Sequence, residues 1–153
     1  MRACLLDTNL LVLLTVGRAS PAFVEVHKRT RSYRSEDLPL LEELLAKAAR
    51  IVTTPHVLSE TSNLIRQFQE PGRGRIVEAF RDFAFQAEET HVPCAEAFAQ
   101  PDFVRLGLTD AGILAALRDD VGLVTDDLDL YLASVTAGRD AINFTHERAR
   151  RFG

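Results

Sequence analysis

Short apolar runs alternate along the chain with longer stretches of helical periodicity, and this alternation permits few folds. Runs at Ala3–Leu6, Ile51–Thr53 and Val121–Val124 predict buried strands. Leucines at helical spacing, as in Leu41–Ala48, predict helices between them. Strands separated by helices imply crossover connections and a parallel sheet that is covered on both faces. We therefore expect a three-layer α/β/α sandwich with a central, mostly parallel twisted sheet.

Residues with strong end preferences set the predicted limits of two helices. Thr8 or Asn9 can cap the first helix, which runs through Val16 and which Gly17 then closes. Thr109 can cap a later helix that runs from Asp110 to Arg118. Two further short strands are predicted at His91–Cys94 and Ala141–Phe144.

Length and composition predict one domain, residues 1–153, in a reducing compartment. A chain of 153 residues with 46% apolar composition can bury one substantial core. Its two cysteines, Cys4 and Cys94, form neither a disulfide framework nor a zinc knuckle. The apolar run at the amino terminus is interrupted by Asp7 and Asn9, and no segment has the length and apolarity of a membrane span. We expect a cytoplasmic protein with no membrane partner.

Acidic residues lie where a parallel sheet would bring them together. Asp7 directly follows the first strand, Asp126 and Asp127 follow a later one, and Asp110 begins a helix. Ligands of such sheets bind at the carboxyl ends of the strands, beside helix amino termini, so these acids could share one edge. Glu60 lies on the flank of an apolar helical stripe, about 100° from its centre, where it could reach the rim of a cleft.

Carboxylates that converge without matching cations are unfavourable, because like charges and desolvation both raise their pKa. Magnesium resolves this conflict, since it prefers hard oxygen ligands and needs few carboxylates. One or two such ions can activate water and stabilise charge on a phosphate. Hydrolysis of phosphodiester bonds is the matching reaction.

Four short segments in order resemble the acidic motifs of PIN domains, which include the toxin ribonucleases of bacterial VapC-type toxin–antitoxin pairs. The resemblance extends over nearly the whole chain in order and spacing, and only Arg18–Asp37 looks extra. Each motif alone is weakly specific, whereas all four in the right strand or helix context are more so. The segments are LLDTN (5–9), TPHVLSE (54–60), LTDAGILAA (108–116) and LVTDDLDL (123–130).

The resemblance implies that Asp7, Glu60 and Asp110 are catalytic acids that bind the metal. The family pattern near its last motif, aligned on Thr125, places Asp127 in the fourth acidic position, with Leu130 replacing the usual Phe. Asp126 and Asp129 remain alternatives for that position. Asn9 and Thr125 would orient carboxylates by hydrogen bonding.

By resemblance, the function would be that of a magnesium- or manganese-dependent endoribonuclease, the toxin component of a type II toxin–antitoxin pair. Its expected partners are an RNA substrate, a cognate antitoxin and a second copy of the chain. Leu40 and Leu44 are equally compatible with a dimer contact and with the core. The stretch 18–37 would be a basic insertion or clamp whose cations either bind RNA or form a solvated face. These cations are Lys28, Arg29, Arg31 and Arg34.

Several alternatives remain open at this point. The net charge of −4 disfavours indiscriminate coating of nucleic acid, although a local patch could still bind phosphates. Asp7 could be only a helix cap, and the run 125–129 only a polar turn. The chain could also be a catalytically silent PIN-like scaffold that binds RNA or protein. A phosphoryl-transfer protein is disfavoured, because Asp7 lies outside an Asp-x-Asp arrangement.

Overall fold

The computed structural model describes all 153 residues and contains one sheet of five parallel strands. Every neighbouring pair in the sheet is parallel, in the order β3-β2-β1-β4-β5. The α/β architecture predicted from the alternation of strands and helices is therefore confirmed. The strands are β1 Ala3–Leu6, β2 Arg50–Thr53, β3 Glu88–Glu89, β4 Val121–Thr125 and β5 Ala141–Asn143.

Nine α-helices and one short 3₁₀ turn, Pro21–Phe23, connect and cover the strands. None of the helices combines the length and the apolar composition that crossing a bilayer requires. The helices are α1 Thr8–Ala19, α2 Asp37–Ala46, α3 Pro55–Ile65, α4 Gly72–Gln86, α5 Cys94–Phe98, α6 Phe103–Leu106, α7 Leu108–Ala116, α8 Leu128–Thr136 and α9 Phe144–Phe152.

The first strand, β1, is the centre of the sheet and is buried along its whole length. Leu5 is in register with Val52 on one side and Leu123 on the other. Strands that are covered on both faces are continuous apolar runs, which explains why β1 and β4 show no alternation. Leu40 and Leu44 belong to the same core, so the core alternative is the correct one for these two residues.

The first helix differs from its predicted limits at both ends. The Asp7 side chain caps α1, whereas Thr8 and Asn9 lie inside it. Gly17 also lies inside α1, which continues to Ala19. A β-carbon at Gly17 would lie only 2.7 Å from Cδ1 of Leu38. Glycine at this position therefore permits the close approach of α2 and does not end α1.

Two later predictions are also wrong. The segment 91–94 is not a strand, because β3 is formed by Glu88–Glu89 and Cys94 already begins α5. Val92 is nevertheless buried, which accounts for its strand-like appearance in the sequence. Thr109 does not cap α7, which follows Gly107 at a φ of 90°. A glycine tolerates this left-handed conformation. Because Gly107 occupies the cap position, the Thr109 hydroxyl is available for another contact.

The stretch 18–37, which looks extra in the sequence, is packed against the rest of the molecule in a regular pattern. We define residues 24–36 as the basic loop. Every third residue of a turn series is buried, at Val24, His27, Thr30 and Tyr33. The backbone N–H of Arg29 donates to Nδ1 of His27, so Nε2 carries the proton and donates to the carbonyl of residue 65 at the end of α3.

Candidate active site

The carboxyl ends of β1 and β4 bring predicted site residues together, because these strands are neighbours in the sheet. Asp7 follows β1, and Asp126 and Asp127 follow β4. Helices α3 and α7 bring Glu60 and Asp110 to the same region, where the charge of Glu60 acts on Asp110 and that of Asp110 acts on Asp7. We call these five residues the acid edge.

Asp7 is the most buried member of the acid edge, with 4% of its surface exposed. One carboxylate oxygen accepts from the Leu10 backbone N–H at 2.9 Å, and the other accepts from the Thr125 hydroxyl. Burial first, and then the charges of Asp126 and Asp110, raise the pKa of Asp7 to about 8 despite these hydrogen bonds. Asp7 is therefore a helix cap and also part of a group of interacting acids.

Asp110 and Glu60 form the opposite side of the acid edge. Burial, followed by the charges of Asp127 and Glu60, raises the pKa of Asp110 to about 6. The exposed Glu60 accepts from the Thr109 hydroxyl at 2.8 Å. This contact connects α3 to α7 and gives the Thr109 hydroxyl a role in place of the predicted cap.

Two of the three candidates for the fourth acid lie in the acid edge. Asp127 caps α8 through Leu130. Burial and the charge of Asp127 raise the pKa of Asp126, while a side-chain hydrogen bond from Asn9 opposes the rise. Asp129 is exposed and pairs instead with Arg105 of α6, at 3.5 Å.

Thr125 is fully buried between two of the acids. Its hydroxyl donates to the Asp7 carboxylate and accepts from the Asp127 backbone N–H at 3.0 Å. One side chain therefore fixes the end of β1 relative to the turn after β4. Replacing the hydroxyl with a methyl group would leave the Asp127 N–H without this partner.

Tyr33 of the basic loop also contacts the acid edge, and the sequence reasoning missed it. Its hydroxyl donates to the Asp126 carboxylate. The Arg148 guanidinium lies 5.2 Å from the centre of the Tyr33 ring and pairs with the buried Asp37 at 3.0 Å. The available signal was Tyr33 itself, which is the single Phe, Tyr or Trp residue of the basic loop and lies three positions after a threonine.

The donor chemistry of the acid edge fits a hard divalent cation. None of its five carboxylates forms an ion pair with a Lys, Arg or His side chain. No set of three or more His, Cys, Asp or Glu side chains is arranged to hold a metal ion. Magnesium is usually held by one or two carboxylates and several waters, so a pair of these acids is a sufficient donor set.

The four predicted RNA-binding cations are all exposed on the basic loop, and none of them pairs with a carboxylate. The only side-chain hydrogen bond among them runs from Arg29 to Gln67, at 2.8 Å. Because Tyr33 belongs to the same loop, the basic loop and the acid edge are in direct contact.

No protein-family model matches the chain, and a search of curated proteins finds no match to it.

Proposed function

We propose that this protein is a magnesium-dependent endoribonuclease whose metal site is the acid edge. The observation that carries the proposal is the pair Asp7 and Asp110. Both are buried or partly buried acids with raised pKa, and neighbouring carboxylates oppose the ionisation of each, without a paired cation. Such a group is costly in a metal-free protein and is stabilised by a divalent ion.

Asp7 and Asp110 would hold Mg²⁺ or Mn²⁺, with Glu60 and either Asp126 or Asp127 on its rim. The bound ion would supply an activated water and stabilise charge on the scissile phosphate. Thr125 keeps the Asp7 carboxylate turned toward the shared edge by donating to it. The Asp7 cap on α1 also places the positive end of a helix dipole beside the anionic phosphate.

RNA is the proposed substrate because the four acidic segments resemble those of PIN-domain ribonucleases. The same resemblance supports a toxin of a type II toxin–antitoxin pair, with a cognate antitoxin as its inhibitor and a second copy of the chain as its dimer partner. We expect growth arrest when the protein is expressed alone. Expression of Asp7→Asn should leave growth unaffected, and a normal toxic effect of this variant would count against the toxin proposal.

The test of the nuclease proposal is Asp7→Asn and Asp110→Asn. Each should reduce metal-dependent RNA cleavage by more than about 100-fold, since even residues that merely support metal ligands are worth 10–100-fold. Asp140→Asn is the matched control, because Asp140 is an exposed acid outside the acid edge. Circular dichroism checks that each variant is folded. Full cleavage by both site variants would contradict the proposal.

A catalytically silent PIN-like scaffold, which binds RNA or a protein partner, is the second candidate. The observation in its favour is that no three potential ligands are arranged to hold a metal ion. Calorimetric titration of the wild-type protein with Mn²⁺ separates the two candidates. The nuclease binds Mn²⁺ and loses this binding in Asp7→Asn, whereas the scaffold shows no binding that depends on Asp7.

A further inference from the structure

The basic loop and the segment 67–69, which follows α3, line a groove whose charge differs from that of four other cavities. It has a volume of about 390 Å³ and is lined by Val26, Lys28, Arg31, Gln67, Phe68 and Gln69. Four other cavities, with volumes of about 310 to 630 Å³, have both cations and carboxylates in their walls. This groove contains two cations and no carboxylate, so its charge selects an anion.

The neighbouring acids do not neutralise these cations. Glu70 is close in sequence but pairs with Arg73, at 3.1 Å. Glu25 accepts from the Ser35 backbone N–H at 3.3 Å. Lys28 and Arg31 are both exposed and free of ion pairs, so they can approach phosphates without first losing a protein partner.

The remaining walls of the groove suit a nucleobase. Val26 is 65% exposed and Phe68 is half-buried, so both offer apolar surface. Gln67 and Gln69 add amide groups, which can both donate and accept hydrogen bonds at a base edge. The bond from Arg29 to the Gln67 side chain fixes the orientation of one of these amides.

Buried contacts hold the walls of the groove in place. His27 is fully buried, bonds the carbonyl at the end of α3, and stacks on the Phe68 ring with 5.2 Å between ring centres. Phe23 also packs against Phe68, with 4.9 Å between ring centres. The groove is thus a supported feature of the fold, in contrast to a chance arrangement of mobile side chains.

We propose that this groove binds one nucleotide of a single-stranded RNA whose scissile phosphate lies at the acid edge. The inference rests on the proposed nuclease function. Helix α3 carries Glu60 and ends at Ile65, two residues before Gln67, and the basic loop extends from the groove to Asp126 through Tyr33. Lys28 and Arg31 bind phosphates, Phe68 and Val26 contact the base, and the glutamine amides contact its edge.

The test compares the double variant Lys28→Gln/Arg31→Gln with the control Lys47→Gln/Arg139→Gln, which removes two other exposed, unpaired cations. Binding of a fluorescent single-stranded RNA is measured by anisotropy with divalent ions chelated, so that no cleavage occurs. The groove variant should bind roughly tenfold more weakly, and the slope of log affinity against log salt should fall by about 1.4. The control should change both quantities less. Equal effects of the two variants would overturn the inference.

Two further measurements identify the ligand and separate this inference from the nuclease proposal. Wild-type protein should bind the RNA more tightly than an abasic strand of equal length, and Val26→Ser/Gln69→Ala should remove the difference. Equal wild-type affinity for both strands would overturn the nucleotide assignment.

In cleavage assays the groove variant, Lys28→Gln/Arg31→Gln, should raise KM and leave kcat unchanged. Groove-dependent binding without metal-dependent cleavage would refute the nuclease alone, whereas cleavage with wild-type KM in the groove variant would refute the groove alone.

Discussion

The acid edge and the basic loop both carry charges without ion-pair partners, but they place these charges in opposite environments. In the acid edge, Asp7 is buried and Asp110 and Asp126 are half-buried, and burial together with the charges of neighbouring carboxylates raises the pKa of all three. In the basic loop, the charges stay in solvent, and buried neutral side chains such as His27 and Thr30 support them. The difference shows that this fold holds repelling carboxylates where burial raises their pKa, whereas it keeps its unpaired cations in solvent on a packed loop.

The largest expected effect concerns the stability of the metal-free protein as a function of pH. Folded Asp7 keeps its proton up to about pH 8, while the unfolded chain releases it near 3.8. The folded state therefore binds the extra proton between these values, and the free energy of unfolding falls as pH rises through this window. Each pKa unit corresponds to about 1.4 kcal/mol, so the loss amounts to a few kcal/mol.

Urea unfolding measures this loss of stability. Wild type and Asp7→Asn are compared at pH 5 and pH 8.5, with divalent ions removed. Asp7→Asn should lose less stability than wild type in this window, because only Asp110 and Asp126 still carry a raised pKa, and it should be more stable than wild type at the higher pH. Added Mg²⁺ should restore the wild type at pH 8.5 and leave the variant unchanged. A wild type that gains stability relative to the variant as pH rises would show that burial of Asp7 is not costly.

Thr125→Val is the next largest perturbation and acts only on the acid edge. The substitution keeps the side-chain shape but removes the hydroxyl that bonds Asp7 and the Asp127 N–H. We expect Mn²⁺ affinity, measured by calorimetry, to fall by about 10–100-fold. Thr136→Val, at the exposed end of α8, is the matched control. Unchanged affinity in Thr125→Val would mean that Asp7 needs no orienting partner.

Tyr33→Phe tests whether the two regions are coupled. The variant keeps the aromatic ring beneath Arg148 and loses only the hydroxyl that donates to Asp126. Stability should fall by about 1 kcal/mol, and Mn²⁺ affinity should fall by up to about tenfold. Tyr131→Phe serves as the control. If Tyr33→Phe changes stability but not Mn²⁺ affinity, the two regions are independent.

The smallest expected effect is an opposite pH response in the basic loop. Burial lowers the pKa of His27 below its usual 6.5. The unfolded chain therefore takes up a proton first on acidification, and the contribution of His27 to stability, present above pH 6.5, is lost as pH falls through its folded pKa. Protonated Nδ1 can no longer accept from Arg29, so exchange of the Arg29 amide hydrogen should accelerate at low pH.

Nuclear magnetic resonance can follow both the His27 titration and the exchange of the Arg29 amide. His91 is a suitable internal reference, because it is an exposed histidine outside the basic loop. An ordinary pKa for His27, or an Arg29 exchange rate that follows only the intrinsic pH dependence, would remove the contrast between the two regions.

The architecture and the location of the acids could be predicted because both follow from the strand pattern. Apolar runs such as Ala3–Leu6 and Val121–Thr125 specify buried parallel strands, and acids directly after them must lie at the carboxyl ends. The choice between Asp126 and Asp127 could not be predicted, because adjacent residues after a strand point in directions that tertiary contacts decide. Asp126 meets Tyr33, and Asp127 caps α8.

The packing of the basic loop could not be predicted from the sequence. Its buried positions recur every third residue, but two of them, His27 and Thr30, are polar and so left no apolar pattern. Their burial depends on hydrogen bonds to carbonyls, of residue 65 at the end of α3 and of Val24 within the loop. The prediction that Gly17 ends α1 was wrong for a similar reason. Glycine is required there because the Leu38 side chain, which is distant in sequence, leaves no room for a β-carbon.

The central position of β1 has a consequence during synthesis on the ribosome. This strand leaves the exit tunnel before the other four, yet its neighbour β4 is the fourth strand in chain order. Nascent chains therefore expose the apolar segments of β1 and α1 for most of translation, when they are open to chaperones and to aggregation. The acid edge also stays incomplete until Asp126 and Asp127 have emerged, so the proposed metal site cannot form on a half-made chain.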